Sequence, residues 1–431
     1  MADGVKLEEQ GIPTATVCST AFAGAARVQA AGRGLASLPI VEIPHPMHTA
    51  SRDTVEARAA AAAQSIARAL IEGAAARGAL GEEIAEDRVE LDAEPAALAE
   101  FFFAHGWSDG LPVTPPTVAA VAAMVAASGR DAQATVGPIP PRSRIATIEQ
   151  LAANAVMAGC RPAYFPVVLA ALDAALDDDL KLYGIQTATN TSSPLIVVNG
   201  PIVKALGMNA RGNVFGQGNR ANAAIGRALQ LILRNAGGDL PGETDMATHG
   251  HPGKFTFCIA ENEDESPWTP LHVERGFKAT DSTVTLIGGS SPQNVFTYGC
   301  ETGAEIVEHF IGALAALGHN NIIFPTGPLL VLSPEHAQTL ARDGYDKAKI
   351  RAEIFARARI PLARFAPRTV VGLDHRRARW FEIAGDPDHI GVADRVGDIN
   401  IVVAGGAGIH SQFVPTSFSL GPVTRLIRTA G

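Results

Sequence analysis

Residues 11–47 read GIPTATVCSTAFAGAARVQAAGRGLASLPIVEIPHPM. The stretch decides the fold class because it reads as one βαβ unit. Ile12 to Val17 is a short β-prone run that stops at Cys18, a helix of small residues follows through Ala31, and Leu38 to Ile43 is a second apolar run that stops at Pro44-His45-Pro46. Ligands bind beyond the carboxyl ends of strands in open α/β sheets. The pattern therefore places Cys18, Ser19, Thr20, His45 and His48 at the mouth of one crevice. Only a thiolate attacks, and a neighbouring imidazole favours it, so Cys18 with His45 is a candidate nucleophile–base pair.

Working outward, RDTVEARAAAAAQSIARALIEGAAA (52–76) predicts a helix, with Val55, Ala59, Ala62, Ile66 and Leu70 at a 3.6-residue period. Gly78 and Gly81 close an N-terminal unit over residues 1–80, and residues 81–97 read as an acidic linker. Residues 98–431 form a larger domain that opens with a turn-rich loop, HGWSDGLPVTPPT (105–117). Its sequence suggests an internal duplication, with halves at about 150–240 and 283–375. MAGCRPAYFPVVLAALDAAL (157–176) parallels TYGCETGAEIVEHFIGALAALG (297–318), and SPLIVVNGPIVKALG (193–207) parallels GPLLVLSPEHAQTLA (327–341). The expected class is α/β: an N-terminal βαβ-type unit followed by a larger, internally duplicated α/β domain. Duplication makes Cys160 and Cys300 equivalent positions at helix N-termini, where the dipole favours a thiolate. Both are alternative nucleophiles to Cys18.

Bulk properties bound the function. With 431 residues, 47% hydrophobic and 18% charged, the chain is globular rather than disordered and long enough for two or three domains. A net charge of −9 with no Lys/Arg cluster argues against a nucleic-acid partner. MADGVKLEEQ has no apolar signal region, and TVAAVAAMVAA (117–127) is too short to span a bilayer, so no membrane partner is expected. Four cysteines without a CxxC pair form neither a disulfide framework nor a thiolate-only zinc site. The expectation is a reduced, cytoplasmic protein acting on a small molecule.

The densest polar constellation is DMATHGHPGKFTFCIAENEDESPWTPLHVER (245–275). His249-x-His251 and His272-x-Glu274 share an i,i+2 spacing that puts both members on one side of an extended segment. With Glu261 they read in two ways. His249, His251 and Glu261 are candidate ligands for a divalent metal such as Zn, Fe or Mn. Alternatively His272 and Glu274 act as general acid and base without metal. Arg220, Arg275, Asn199 and Asn222 are candidate substrate-binding residues, because Arg- and Asn-rich loops hold carboxylate or phosphate.

The N-terminal segment resembles the substrate-cleaving selenoprotein subunit of glycine, sarcosine and betaine reductases, and the related UGSC-type selenoproteins. The matching residues are Gly11-Ile12-Pro13, the strand into Val17-Cys18-Ser19-Thr20, and Ile43-Pro44-His45-Pro46, within about 65 residues. The resemblance implies thiol or selenol attack on a substrate carbon. In those families the Sec/Cys motif lies upstream of the Gly-Ile-Pro strand, whereas MADGVKLEEQ carries no cysteine. It therefore implies a nucleophile at another cysteine or on a Cys/Sec-bearing subunit, in a homo-oligomer or hetero-oligomer. Three functions follow as expectations. The first is a thiol-dependent enzyme, a reductase or lyase, cleaving a C–N, C–S or similar bond of a small polar substrate. The second is a metal-dependent hydrolase or lyase. The third is a non-catalytic substrate-binding or scaffold subunit.

Overall fold

The computed structural model describes residues 2–47, 49–72, 84, 88–91 and 94–429. The N-terminal unit contains α1 (Ala2–Glu9), β1 (Thr16–Ser19), α2 (Ala23–Gly32), β2 (Ile40–Ile43) and α3 (Arg52–Glu72). β1 and β2 are parallel, with Thr16 opposite Ile40 and Cys18 opposite Glu42. Both strands start later than their apolar runs because Pro13 and Pro39 have no N–H to give a ladder. Val5, Ala30, Leu35 and Leu38 make a small core of their own. The end of the expected helix beyond residue 72, both closing glycines, His48 and about half of the acidic stretch lie outside the described residues. The stretch ends where Glu94 caps α4 (Pro95–Ala104), its Oε2 accepting from Ala97 N at 2.7 Å.

The body continues through α5 (Val118–Ser128), the hairpin of β3 (Thr135–Ile139) and β4 (Arg144–Thr147), α6 (Ile148–Met157), α7 (Phe165–Ala175) and α8 (Leu182–Thr187) to β5 (Ser193–Asn199). Next come α9 (Ile202–Ala205), α10 (Arg220–Asn235), β6 (Cys258–Ala260), α11 (Leu271–Glu274) and β7 (Thr283–Gly289). Then follow β8 (Gln293–Phe296), α12 (Gly303–Leu314), α13 (Asn320–Ile323), β9 (Leu329–Leu332), α14 (Pro334–Arg342) and α15 (Lys347–Arg357). A small pair, β10 (Arg359–Pro361) with β11 (His389–Gly391), precedes β12 (Asn400–Val403), β13 (His410–Val414) and β14 (Val423–Leu426).

Two four-stranded sheets organise the body, in the orders β14-β7-β5-β6 and β8-β13-β9-β12. In each, one pair is parallel (β5 with β6, β9 with β12) and the rest are antiparallel. β8 follows β7 in the chain yet joins the second sheet, and β14 follows β13 yet returns to the first. At the crossing, Ser290 N donates to Pro415 O at 2.8 Å and Ser417 N to Gly288 O at 3.1 Å, with Gly289 bridged to Thr416. The blocks paired in the sequence, 193–207 and 327–341, fall on β5–α9 and β9–α14. This likeness is one of topology; duplication of the sequence is a proposal about ancestry.

Alternation along the strands sorts three cores. Leu195, Val197, Ile259 and Ile287 of one sheet share a cluster with Leu329, Val331, Val402 and Val414 of the other. Ile196, Val198 and Leu286 turn the opposite way and pack with Leu151, Val168, Ile225 and Leu229 from α6, α7 and α10. Leu330, Leu332, Ile401 and Val403 do the same with Ile306, Phe310, Leu340 and Ile354 from α12, α14 and α15. The result is four layers, helix–sheet–sheet–helix. Both sheet faces are covered, which is why SPLIVVN is buried at every position. Among the described residues, no single helix is long and apolar enough to cross a membrane.

The N-terminal unit touches the body through the end of α2. Arg33 lies over the Tyr183 ring at 4.5 Å, and a Cβ on Gly32 would meet the Arg142 backbone at 2.9 Å. α2 starts just after Ser19 and spans about 15 Å, so the Cys18 end of the unit points away from this contact.

If the layer between the sheets holds the fold, Leu195→Ala and Leu329→Ala should each lower the unfolding free energy by about 2–5 kcal/mol. Val371→Ala, at a site 61% exposed, should change it by less than about 0.5 kcal/mol. Urea unfolding measures all three.

Candidate functional site

The ends of the parallel strands β5 and β6 bring several expected site residues together. β5 ends in Asn199 and β6 runs directly into Glu261. The Asn199 side chain donates through Nδ2 to Glu261 Oε2 at 2.6 Å and to Glu263 Oε1 at 2.9 Å. Gly200 N adds a bond to Glu263 Oε1 at 2.7 Å. Only glycine fits there: its φ is +86°, and a Cβ would lie 2.1 Å from Asp281 O. α11 covers the cluster, with Leu271 N donating to Glu261 Oε2 at 2.8 Å and His272 Nδ1 lying 3.7 Å from Glu263 Oε1.

Lys347, at the start of α15, enters from the other half of the body. Its Nζ donates to Thr269 O at 2.7 Å and Glu274 Oε2 at 3.0 Å, and lies 3.8 Å from Glu261 Oε1. Arg351, one turn on, donates to Glu274 Oε1 at 3.1 Å. Asn199, Glu261, His272 and Lys347 are buried. The Glu263 and Glu274 side chains are 26% and 23% exposed, so they form the rim.

Five buried polar atoms in this cluster have no hydrogen-bond partner: Asn199 Oδ1, Glu261 Oε1, His272 Nδ1 and Nε2, and Thr283 Oγ1. Thr283 lies opposite Asn199 in the ladder. Folded proteins leave few such groups, and each needs a reason. Burial pushes the Glu261 carboxyl above its ordinary range, against the opposing pull of Lys347, the Leu271 N–H and Asn199. The cluster thus holds an acid–base group, a histidine and a lysine at a strand-end surface.

The other expected residues fall elsewhere. His251 precedes β6, packs edge-on against Phe257 at 5.3 Å, and accepts from Gly253 N at 3.2 Å. The ligand set His249, His251 and Glu261 is not gathered: among the described residues, no group of three or more His, Cys, Asp or Glu side chains is placed to hold a metal ion. Arg220 donates from Nε and Nη2 to Gly159 O at 3.0 and 2.9 Å. Asn222 exchanges side-chain bonds with Asn209 N and O at 2.9 and 2.8 Å. Both hold backbone in place.

The cysteines divide into two kinds. Cys160 donates to Ala224 O at 3.3 Å, and burial pushes its thiol up to about 12. Burial raises the Cys258 thiol as well. Cys18 is half-buried, and burial followed by the Glu42 carboxylate opposite it raises its thiol. His45 pairs instead with Ser19, Oγ to Nδ1 at 3.1 Å, and its backbone N–H donates to Thr20 Oγ1 at 3.3 Å. Cys300 has an imidazole neighbour that the sequence reading missed: its Sγ lies 3.3 Å from His309 Nδ1. Burial and Glu305 raise that thiol too.

Lys347 was also missed, although a signal existed. It shares a buried stripe with Ile350 and Ile354, a charge set into an apolar face. A buried relay went unseen as well: His336 bonds Thr297 Oγ1 through Nε2 at 2.7 Å and Ser411 Oγ through Nδ1 at 2.6 Å.

The sequence model of the UGSC family matches residues 1–72, which span the N-terminal unit. The segment is similar to that family in the part where the Gly-Ile-Pro strand and the His45 turn lie. No curated protein matches the chain.

Two pH dependences follow. A carboxyl whose folded pKa is raised loses its contribution to stability as pH rises from the ordinary value of 4.5 through the folded value. The melting temperature of Glu261→Gln should therefore gain on that of the wild type between pH 4.5 and 8; a constant difference across that range would mean that Lys347 holds Glu261 ionised. Burial lowers His251, His319 and His336 to about 4, so their contributions are complete above the ordinary histidine value of 6.5 and lost as pH falls toward 4. The wild-type melting temperature should drop across that window, and His336→Gln should flatten part of the drop.

Proposed function

We propose that the chain is an enzyme that transfers protons on a small polar molecule at the Asn199–Glu261–His272–Lys347 cluster. The observation that carries this reading is the convergence of unpartnered buried polar atoms at the carboxyl ends of β5 and β6. Buried polar atoms are satisfied by a ligand or by ordered water, and the carboxyl ends of strands are where ligands sit in open α/β sheets. Glu261 Oε1 is the proton acceptor, and burial raises its proton affinity above that of an ordinary carboxylate. Asn199 and Leu271 N–H orient the carboxylate by holding Oε2. Lys347 supplies positive charge 3.8 Å from the reacting oxygen, and His272 offers a second proton-carrying group.

A second reading is thiol-dependent cleavage of a C–N, C–S or similar bond. It is favoured by the contact of Cys300 with His309 and by the UGSC match at the N-terminus. A divalent metal has no gathered ligand set to support it among the described residues.

Proton transfer leaves an isotopic record. Protein incubated in D₂O with mixtures of small carboxylic acids, alcohols, amines and thioethers should exchange or eliminate a carbon-bound hydrogen of one component, read by NMR. Glu261→Gln should slow this by about 10²–10⁴-fold, while Cys300→Ser stays within twofold. Loss in Cys300→Ser with full activity in Glu261→Gln would overturn the proposal and establish the thiol reading.

A further inference from the structure

Arg275 directly follows α11, the helix that delivers His272 and Glu274 to the cluster. Its Nε donates to Thr424 Oγ1 at 2.6 Å and its Nη2 to Pro422 O. Thr424 sits opposite Thr285 in the ladder, with the two hydroxyls 2.9 Å apart. Thr283, Thr285 and Ile287 alternate onto one face of β7, and Ile287 belongs to the layer between the sheets. Thr283, with its unpartnered hydroxyl, is part of the Glu261 cluster. Arg275 therefore holds the same inner face one two-residue step from the cluster, about 7 Å along the strand.

A cleft of about 270 Å³ opens at this edge, lined by Arg275, Asp179, Arg395, Asp398, Asn400 and Thr416 among others. The volume lies just under the range of ordinary small-molecule sites, so it takes a ligand of few atoms and no nucleotide. The charges sort simply. Arg395 is paired with Asp398 at 3.1 Å. Among the described residues, Arg275 bonds only to a hydroxyl and a carbonyl, and the exposed Asp179 side chain makes no hydrogen bond or ion pair. A guanidinium fork matches a carboxylate through paired N–H donors. An ionised Asp accepts only, so it asks for a donor on the same ligand.

We infer that this cleft is a binding site for a small carboxylate bearing a hydroxyl or ammonium group beside it, its carboxylate held by Arg275 and its donor by Asp179. The site stands apart from the Glu261 cluster, with the buried Thr283 and Thr285 between them.

Three probes of equal carbon number separate the contributions: propionate, lactate and alanine. Dissociation constants are measured by calorimetry at constant ionic strength, with chloride as the balancing anion. Lactate or alanine should bind wild-type protein at least tenfold tighter than propionate, and whichever does so identifies the donor. Asp179→Asn should erase that difference, and Arg275→Gln should weaken all three probes at least tenfold. Arg275 also holds the Pro422 carbonyl, so Leu420→Glu provides a second test. Leu420 is 61% exposed at the cleft, and a carboxylate there should weaken all three probes without touching Arg275. Equal binding of the three probes to wild type, or unchanged binding in both Arg275→Gln and Leu420→Glu, overturns the assignment. Glu261→Gln should keep the whole binding pattern. If that pattern holds while Glu261→Gln retains full turnover, the acid–base reading falls and the cleft assignment stands.

Discussion

The apolar layer between the two sheets is the constraint on which the rest depends. Leu195, Val197, Ile259 and Ile287 meet Leu329, Val331, Val402 and Val414, and every other strand position is covered by helices. In β5, β9 and β12, buried at every position, the polar side chains stand only at the strand ends. There the two halves differ. Val198 pairs with Ala260 just as Leu332 pairs with Val403. The next residues are Asn199 and Glu261 in the first half but Ser333 and Ala404 in the second. The same backbone bonds continue, Glu261 N to Val198 O at 3.1 Å and Ala404 N to Leu332 O at 3.0 Å. One topology therefore carries a buried carboxylate at one end and a methyl group at the matching place. The second half fills its strand-end region with the Thr297–His336–Ser411 relay, whose imidazole nitrogens are both bonded.

That contrast bears on what the Glu261 cluster is for. A buried donor or acceptor without a partner costs about 1–3 kcal/mol, and the cluster contains five such atoms. Lys347 ties the two halves together through Thr269 and Glu274, yet buried ion pairs are weak sources of stability. A cluster that costs stability while lying beyond the carboxyl ends of parallel strands has the character of a site. The relay in the other half, fully bonded, has the character of packing.

The sequence made the secondary structure legible wherever periodicity was strong. The βαβ alternation of residues 11–47 and the apolar run SPLIVVN both carry local signals, and both form the elements expected. The site was half legible. Asn199, Glu261, His272 and Glu274 were read as polar residues in promising loops, and they converge. The run from Asp245 to Arg275 nevertheless reads as one constellation in the sequence and is two places in the fold. β6 passes through its middle and carries the chain from the His251 side of the sheet to the Glu261 side. Proximity in sequence says nothing about which end of a strand a residue reaches. Lys347 lies 73 residues beyond Glu274, and only its position on a buried helical stripe marked it out. At the N-terminus, alternation decided the pairing. Ser19 and Cys18 point to opposite faces of β1, so the residue that reaches His45 is the hydroxyl and the thiol is left beside Glu42.

The UGSC-like unit and the body meet at Arg33 and Tyr183, with the Ser19–His45 end directed elsewhere. The proposed chemistry lies in the body, at a carboxyl whose proton affinity burial raises. Infrared spectroscopy of protein carrying ¹³C-labelled glutamate, titrated and compared with Glu261→Gln, observes that carboxyl directly. A protonated carboxyl band that persists above the ordinary glutamate range and disappears in the variant is the predicted result. A Glu261 that is ionised throughout the titration would contradict it.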